Sequence, residues 1–597
     1  MTAADNLEDI KGSLNPLSGE KSYDLLADFL LPDGLYLSNF LIERVGRSSG
    51  LGSPAPLPSF PPGGDMLDFL VQAGEISKPD GLFASWYHRA NSKEEMNEAL
   101  ASDVMILEAD VTLRGYGTSS EEPVPIMAHP PAVHSDNTLD EWLDAVLASR
   151  KAMKLDFKAL ESVGLSLDLL SRKNSSQGLN RPVWLNADIL IGPNTPGFMP
   201  TVNGTRFLQL VQEKFPDATL SPGWMVSYAP PLFTSSYTRA MVEDMYGLVK
   251  DCPQKVTFPV HALLVRAGWQ HLSWLLSQSP RFSLTLWQGS IHPNISDLLF
   301  VRDNSNPARV YYDIYEPTLS EFKEAATRQS DPRRFYPGGD LMDFLHPTRN
   351  SDNNFLREAG TEKHRSSSLE VRWFTVTDRA SLLPQLSGET SGDGGMLVVH
   401  LSSDSSRPGV PVVVESFGRS SELLTLQDVL ELLGQNAEAR WGIYLQIQSH
   451  QLLEASLQQL QSSYSSEDLY RPVWISMDGL QSGDDDTKEY FVSTVEKLFP
   501  YVTVVLPEQN YPPVIPAAVA GLSQRVALRL KSASLPTGQE EELNSLMDRY
   551  DFILEVDTKT NTEAFSVLKI LMTQRTGRVS NRDHVTNLYI ISDEHPN

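Results

Sequence analysis

The chain has 597 residues, 49 basic and 76 acidic side chains and a formal net charge of −27 at pH 7. This length exceeds what one hydrophobic core usually organises, so two domains are predicted. The negative charge would repel nucleic acid and anionic membrane surfaces, and neither is predicted as a partner. The single cysteine, Cys252, excludes an intrachain disulfide.

Residues 1–61 are predicted to form an irregular N-terminal extension. The most apolar stretch there, Leu25–Ile42, is interrupted by two aspartates, a proline and a glycine. A membrane-spanning helix needs about 20 predominantly apolar residues, so no span is expected, and no signal peptide pattern is visible. The glycosylation acceptors Asn174, Asn203 and Asn294 would matter only if the chain were secreted.

Short runs rich in β-branched and aromatic residues then alternate with helical patterns, which is typical of βα units in a parallel sheet. The eight runs are Leu82–His88, Val104–Val111, Met153–Lys158, Pro182–Ile189, Ala218–Trp224, Val256–Val260, Ser283–Trp287 and Val310–Tyr315. An extra extended segment, Pro125–His129, follows the second run. Capping-box patterns begin helices at Ser92 and Thr138, and Leu263–Ser279 is predicted as one long helix.

Eight strand–helix units predict an α/β fold of the (β/α)8 TIM type. No Gly-x-Gly-x-x-Gly turn follows the first run, which disfavours an open dinucleotide-binding sheet. Pro62–Leu70 returns 275 residues later (337 minus 62) as Pro337–Leu345, and Arg181–Trp184 returns as Arg471–Trp474. A barrel typically has about 250 residues, so the repeat predicts two tandem barrels. The predicted domains are residues 62–330 and 331–597.

Polar side chains collect at the C-terminal ends of the predicted strands, where TIM barrels build their active sites. They are His88, Arg89, Glu108, Asp110, His129, Asp156, Lys158, Asn186 and Asp188. Carboxylate oxygens are ligands that suit Mg²⁺ or Ca²⁺. Glu108, Asp110 and Asp156 are therefore predicted to bind one of these ions, although ion pairs to neighbouring cations are the alternative.

Paired histidines suit acid and base chemistry at a phosphoryl centre. His88 and His129 are predicted in these roles, with Arg89 and Lys158 stabilising developing charge. Lys158 could instead serve only as an ion-pair partner. Asn186 and Asp188 fit either an outer layer of the site or structural polar groups of the barrel; these alternatives stay open.

The second repeat keeps the apolar frame but changes these polar positions. The sequence pairs Trp86–Arg89 with Trp373–Val376, Ile106–Asp110 with Val398–Ser402, Val124–His129 with Val410–Glu415 and Lys154–Lys158 with Tyr444–Gln448. The site positions then become Thr375, His400, Ser402, Glu415, Gln446 and Gln448. The second barrel is therefore predicted to be degenerate, inactive and without the metal site.

The set His88-Arg89, Glu108-x-Asp110, His129 and Asp156-x-Lys158 resembles the PLC-like phosphodiesterases, especially glycerophosphodiester phosphodiesterases and sphingomyelinase D enzymes. Longer strings resemble the menorin family, well over residues 62–330 and weakly over 337–597. These strings are Trp86–His88, Leu107–Val111, Met127–Pro131, Lys154–Lys158, Trp184–Asp188 and Leu220–Trp224. One departure from the phosphodiesterases is Ala90, which stands where they usually have glycine after His-Arg.

The resemblance implies a PLC-like barrel, a phosphodiester substrate, two flanking histidines and one divalent cation held by acidic strand ends. It also implies an extracellular or cell-surface location, a cell-surface protein partner and a role in guiding dendrites. The N-terminal anchor of some two-repeat members is not visible here, which leaves the cytoplasm open. Two functions follow: a metal-dependent phosphodiesterase-like hydrolase, or a non-catalytic adhesion or guidance protein.

Overall fold

The computed structural model describes residues 59–592 with several gaps. The gaps are 229–234, 329–332, 346–370, 388–393, 406, 415–422, 479, 481–484, 510–512, 514, 532–544, 547–548 and 557–587. Most of the predicted N-terminal extension, and Glu415, therefore lie outside the described residues. In the described part, no helix is long and apolar enough to cross a membrane.

Each half of the chain forms one nine-stranded sheet. The first contains β1 (Trp86–Tyr87), β2 (Ile106–Arg114), β3 (Glu122–Met127), β4 (Ala152–Phe157), β5 (Val183–Ile191), β6 (Thr219–Met225), β7 (Val256–His261), β8 (Phe282–Trp287) and β9 (Val310–Asp313). The second contains β10 (Arg372–Thr375), β11 (Gly395–Asp404), β12 (Arg407–Val413), β13 (Trp441–Ile447), β14 (Val473–Met477), β15 (Thr503–Gln509), β16 (Val526–Lys531), β17 (Asp551–Val556) and β18 (Leu588–Ser592).

Helices lie between the parallel strands. Those of the first half are α1 (Met66–Gln72), α2 (Lys93–Ala101), α3 (Leu139–Leu147), α4 (Leu160–Gln177), α5 (Gly204–Lys214), α6 (Arg239–Val249), α7 (Trp269–Ser277), α8 (Ile295–Asp303) and α9 (Thr318–Thr327). Those described in the second half are α10 (Leu341–Leu345), α11 (Arg379–Leu386), α12 (Leu426–Gln435), α13 (His450–Ser465), α14 (Asp485–Leu498) and α15 (Ala517–Ala520).

Eight strands of each sheet are parallel and lie side by side in chain order. The ninth, β3 or β12, pairs antiparallel with the second strand as an excursion. This topology confirms two tandem (β/α)8 TIM-type barrels, the second degenerate at the predicted site. The eight predicted strands of the first repeat are confirmed with shifted ends, and the domain boundaries remain a prediction.

The first barrel is nearly closed between β1 and β9, and no ladder joins these two strands. Gly81 lies so close to β9 that a Cβ would overlap the carbonyl oxygen of Val310, so only glycine fits there. Above it, Trp86 and Tyr311 pack with ring centroids 6.4 Å apart. The first strand is shorter than predicted because Gly81–Phe83 forms a 3₁₀ turn capped by Asp80.

The two motifs that recur in the sequence meet at the N-terminal end of each barrel. The carbonyl oxygen of Pro62 accepts the N–H of Val183 at 2.9 Å, and Pro337 does the same for Val473 at 2.8 Å. Asp65 caps α1, whose apolar side chains pack against the interior ring of Trp184. These repeated residues therefore close the barrel floor, opposite to the predicted site.

The arginine of each Arg-Pro-Val-Trp motif is a structural group. Arg181 is 3% exposed, and its guanidinium donates to five backbone carbonyls, including those of Val146 and Leu147 at the end of α3. Arg471 donates in the same way around the end of α12. A cation at a helix C-terminus satisfies carbonyls that have no partner within the helix.

Ladder register corrects one pairing made from the sequence. Asp110 is the ladder partner of Asp156, and His400 is the ladder partner of Gln446. Because Gln446 corresponds to Asp156, His400 corresponds to Asp110, two positions away from the sequence pairing. The corrected pairs are Glu108 with Val398 and Asp110 with His400. Apolar residues repeat on both sides of this strand, so they did not fix the register.

The predicted helix Leu263–Ser279 is also wrong at its start. Residues 262–268 form turns, and α7 begins only at Trp269. Tertiary contacts hold these turns: Ser236 donates to the Leu264 carbonyl at 2.6 Å, and Tyr501 of the second repeat donates to the Ala267 carbonyl at 3.1 Å. The two capping boxes, at Ser92 and Thr138, are confirmed.

Candidate metal centre at the mouth of the first barrel

Three carboxylates meet at the mouth of the first barrel. Glu108 and Asp110 lie on β2, two residues apart, so their side chains point to the same side of the sheet. Asp156 lies beside Asp110 on β4. One oxygen from each lies within 4.8 Å of the others, and the residues are only 0%, 2% and 9% exposed. The structure therefore assembles the three predicted ligands into a group that could hold a metal ion.

Neighbouring polar groups orient these carboxylates. The Arg89 backbone N–H donates to Glu108 Oε2 at 2.8 Å, and Asn91 exchanges two 2.8 Å hydrogen bonds with Asp110. Asn186 donates to Asp156 at 2.7 Å and accepts from Ser221 at 2.6 Å. Each ligand side chain is thus held by a second group, as is usual at metal centres.

Glu108 leaves one buried oxygen without a partner. No donor among the described residues reaches its Oε1 atom. An unpaired carboxylate oxygen in a buried position is costly. A cation is the group that fits this oxygen best, because the Asp110 and Asp156 carboxylates converge with that of Glu108.

The charges around the mouth also favour a divalent cation. Five carboxyl groups face three cationic groups there, which leaves an excess of two negative charges when all are ionised. The carboxyl groups are Glu108, Asp110, Asp156, Asp188 and Asp313, and the cationic groups are His88, Lys154 and Lys158. Without a metal, protonation of Asp188 and Glu108, whose pKa values are raised, relieves part of this excess. One divalent ion would balance all of it with every carboxyl group ionised.

The pKa values follow from this crowding. Burial raises the pKa of Glu108, with the adjacent Asp110 carboxylate adding to it. Burial also raises the pKa of Asp188, to about 7, helped by Asp156. For Asp110 and Asp156 burial acts in the same sense, but the Lys158 ammonium outweighs it and lowers both pKa values.

His88 lies at one side of the triad. Its Nδ1 atom is 2.7 Å from Asp313 Oδ2 and 3.8 Å from Glu108 Oε2. Burial alone would lower its pKa, but the Asp313 and Glu108 carboxylates raise the pKa of His88 to about 9. The imidazole is therefore cationic at neutral pH in the metal-free protein, with Nδ1–H directed to Asp313.

His129 lies on the other side, where its electrostatic neighbours are Lys158, Asp110 and Asp156. The residue keeps contact with solvent, so the burial that lowers its pKa is partial, and the Lys158 ammonium lowers it further. Nδ1 is 2.6 Å from the Pro130 carbonyl oxygen, which can only accept a hydrogen bond. The neutral ring therefore carries its proton on Nδ1 and a lone pair on Nε2.

The two predicted phosphate-binding cations differ in position. Lys158 Nζ lies 2.7 Å from Asp156 and 3.2 Å from Asp110, and the carboxylates raise its pKa despite its burial. Arg89 has an exposed side chain and a φ of 62°, an uncommon conformation for a residue with a Cβ. This backbone conformation directs the Arg89 N–H to Glu108. The catalytic roles of both residues remain predictions.

Sequence reasoning missed three groups at the site. Asp313, at the end of β9, is separated from His88 by 225 residues. Lys154 precedes Asp156 by two residues on β4, so it faces the same side, and it is 4% exposed. Asn91 was also missed. The alternation Lys154-x-Asp156-x-Lys158 was visible in the sequence, whereas nothing there paired Asp313 with His88.

The fold and site together define a tandem TIM-barrel protein with a buried carboxylate triad at the mouth of its first barrel. A model of the Menorin N-terminal domain matches residues 80–319 and 367–507, and the chain therefore belongs to that family. Human "Protein FAM151B" is 45% identical over 262 residues, which are 44% of this chain and 93% of that protein.

A solved structure offers a more distant likeness. It is a phosphodiesterase of Oleispira antarctica in complex with the product sn-glycerol-3-phosphate. It is 13% identical, with a TM-score of 0.27, over 41% of this chain and 97% of that one.

Proposed function

We propose that the first barrel is a metal-dependent phosphodiesterase-like hydrolase. The observation that carries this proposal is the buried carboxylate triad, which lies between two histidines whose pKa values are shifted in opposite directions. Titratable groups whose environments separate their pKa values in this way are suited to act as an acid and base pair.

Glu108, Asp110 and Asp156 would hold one Mg²⁺ or Ca²⁺ ion, since all three offer hard oxygen ligands. The ion would polarise a phosphoryl oxygen and stabilise the charge that develops on it. Once the ion balances the carboxylate charge, the Lys158 ammonium no longer needs to pair with Asp110 and Asp156. It can then bind phosphoryl oxygens of the substrate. Arg89, exposed at the same mouth, is a second candidate for this contact.

The proton positions assign the two histidines. His129, with its lone pair on Nε2, would accept the proton of the attacking hydroxyl, either water or a neighbouring hydroxyl of the substrate. His88, protonated on both nitrogens, would give its Nε2 proton to the leaving alcohol as the new P–O bond forms and the old one breaks. Asp313 would keep His88 protonated and oriented.

The second barrel provides a matched control for this proposal. Hydrolysis of bis(p-nitrophenyl) phosphate by the full chain should require Mg²⁺ or Ca²⁺ and be lost with chelator. His88→Ala and Asp156→Asn should each lower kcat by about 100-fold or more. Gln446→Ala, at the position corresponding to Asp156, should leave kcat unchanged. Turnover indifferent to chelator and to His88→Ala would contradict the proposal.

The non-catalytic alternative is an adhesion or guidance protein at the cell surface. It rests on the family resemblance, as do an extracellular location, glycosylation and a role in dendrite morphogenesis. Under it, binding of a cell-surface protein should be unchanged in Glu108→Ala and His129→Ala, and purified protein should hold no divalent metal. The buried carboxylate triad at the mouth favours the hydrolase, because a binding scaffold has no need of three converging buried carboxylates.

A further inference from the structure

Three aromatic rings form a wall on the side of the mouth formed by β7 and β8. His261, at the end of β7, has its ring centroid 5.4 Å from that of Tyr228 and 4.7 Å from that of Trp287. Tyr228 and Trp287 are partly exposed, whereas His261 is 5% exposed. We call Tyr228, His261 and Trp287 the aromatic wall.

The aromatic wall adjoins the candidate metal centre. Trp287 is the ladder partner of Asp313, so the two side chains leave adjacent strands on the same side. Asp313 in turn holds His88 at 2.7 Å. The aromatic wall therefore lies next to His88, the residue that would protonate the leaving alcohol.

His261 is a neutral group of this wall. Burial lowers the pKa of His261 to about 4, so its ring carries no charge at neutral pH. Its buried Nδ1 has no hydrogen-bond partner among the described residues. Gly289 faces Nε2 without a side chain, and even a Cβ there would lie 3.9 Å away. The His261 ring is therefore an uncharged, buried backing for the partly exposed rings of Tyr228 and Trp287.

The second repeat lost this wall together with the metal centre. The ladders place Lys531 and Glu555 as partners on β16 and β17, at the positions of His261 and Trp287 on β7 and β8. In contrast, the floor rings persist: Trp184 packs 4.8 Å from Tyr311, and the corresponding second-repeat pair lies 4.9 Å apart. A barrel of this kind therefore does not need the aromatic wall for folding.

We propose that the aromatic wall is a subsite for the alcohol half of the phosphate ester, and that it selects an uncharged alcohol with an apolar face. This inference rests on the proposed phosphoryl site. Flat, uncharged rings favour apolar surface over water, and a charged group would lose part of its hydration against them. The wall thus determines specificity and takes no part in proton transfer.

Benzyl phosphate and methyl phosphate test this subsite, since they share the phosphate and differ only in the alcohol half. Calorimetric titration of the full chain with Mg²⁺ should show benzyl phosphate binding about tenfold or more tightly than methyl phosphate. Trp287→Ala and Tyr228→Ala should bring this ratio close to one and leave the Kd of methyl phosphate unchanged. Both residues are partly exposed, so either variant suffices if the other fails to fold.

Trp274→Ala is the matched control. Trp274 is a partly buried tryptophan on α7, away from the wall, and its ring centroid lies 4.5 Å from the Arg239 guanidinium carbon. Its removal should leave the ratio of the two Kd values unchanged. Equal affinities in the wild type, or an unchanged ratio in Trp287→Ala and Tyr228→Ala, would overturn the subsite and leave the proposed function standing. Failure of both esters to bind the metal-loaded wild type would overturn both.

Discussion

Asp313→Asn should change the protonation of His88, because the Asp313 carboxylate is the strongest electrostatic reason for its raised pKa. In the metal-free protein the pKa of His88 is about 9, against 6.5 for an unperturbed histidine. This interval corresponds to about 3 kcal/mol, at about 1.4 kcal/mol per pH unit. The substitution keeps the side-chain shape and removes the charge, so much of this free energy should be lost.

The sign for stability follows from the raised pKa. The folded protein binds the His88 proton more tightly than the unfolded chain, so the stabilisation is fully present below pH 6.5. It is lost as the pH rises through about 9. In chelator, the free energy of unfolding should fall across this range in the wild type and much less in Asp313→Asn.

The assay is NMR titration of ¹³C-labelled histidine rings, with His88→Gln to assign the resonance and urea unfolding at each pH. Asp144→Asn, in an exposed ion pair with Lys173, is the control and should leave the titration of His88 unchanged. A wild-type His88 that titrates at or below 6.5, or a pKa of His88 unaffected by Asp313→Asn, would show that Asp313 does not hold the imidazole protonated.

Three further changes test the centre, the barrel floor and the contact between repeats. Glu108→Gln should stabilise the metal-free protein by about 1–2 kcal/mol, since it neutralises a buried carboxylate with an unpaired oxygen. The melting temperature of this variant should not rise when Mg²⁺ or Ca²⁺ is added, and a retained rise would contradict the proposed ligand role of Glu108. Arg181→Leu should lower the free energy of unfolding in urea by about 3 kcal/mol, because five carbonyls lose their donor. The control Arg114→Leu, at a partly exposed arginine, should change it by under about 1 kcal/mol. Arg266 pairs with Asp297 and, across the repeats, donates to the Tyr464 carbonyl and the Tyr470 hydroxyl. Arg266→Ala should lower the free energy of unfolding by about 2 kcal/mol and speed the hydrogen exchange of residues 262–268. Unchanged exchange would argue against the contact between the repeats.

The triad could be predicted from the sequence because strand alternation fixes which residues face one side. Glu108 and Asp110 are two apart on a strand, and parallel strands bring their C-terminal ends to one edge. The partner of His88 could not be predicted in this way. Asp313 ends the eighth parallel strand, and only closure of the barrel brings it next to the first.

The errors have equally physical origins. The two-residue slip in matching β2 to β11 arose because apolar side chains line both faces of these buried strands. The helix predicted to begin at Leu263 begins at Trp269, because contacts from Ser236 and Tyr501 hold the preceding turns. Tertiary contacts of this kind override local helical preference.

The metal centre is tested most directly by anomalous diffraction from crystals of the full chain soaked in Mn²⁺, a divalent ion with the same preference for oxygen ligands. One strong peak is expected among Glu108, Asp110 and Asp156. It should be absent in Asp156→Asn, and no peak should appear at the corresponding position between His400 and Gln446. If no peak appears at the mouth with saturating Mn²⁺ and without competing Mg²⁺, the proposed metal centre is contradicted.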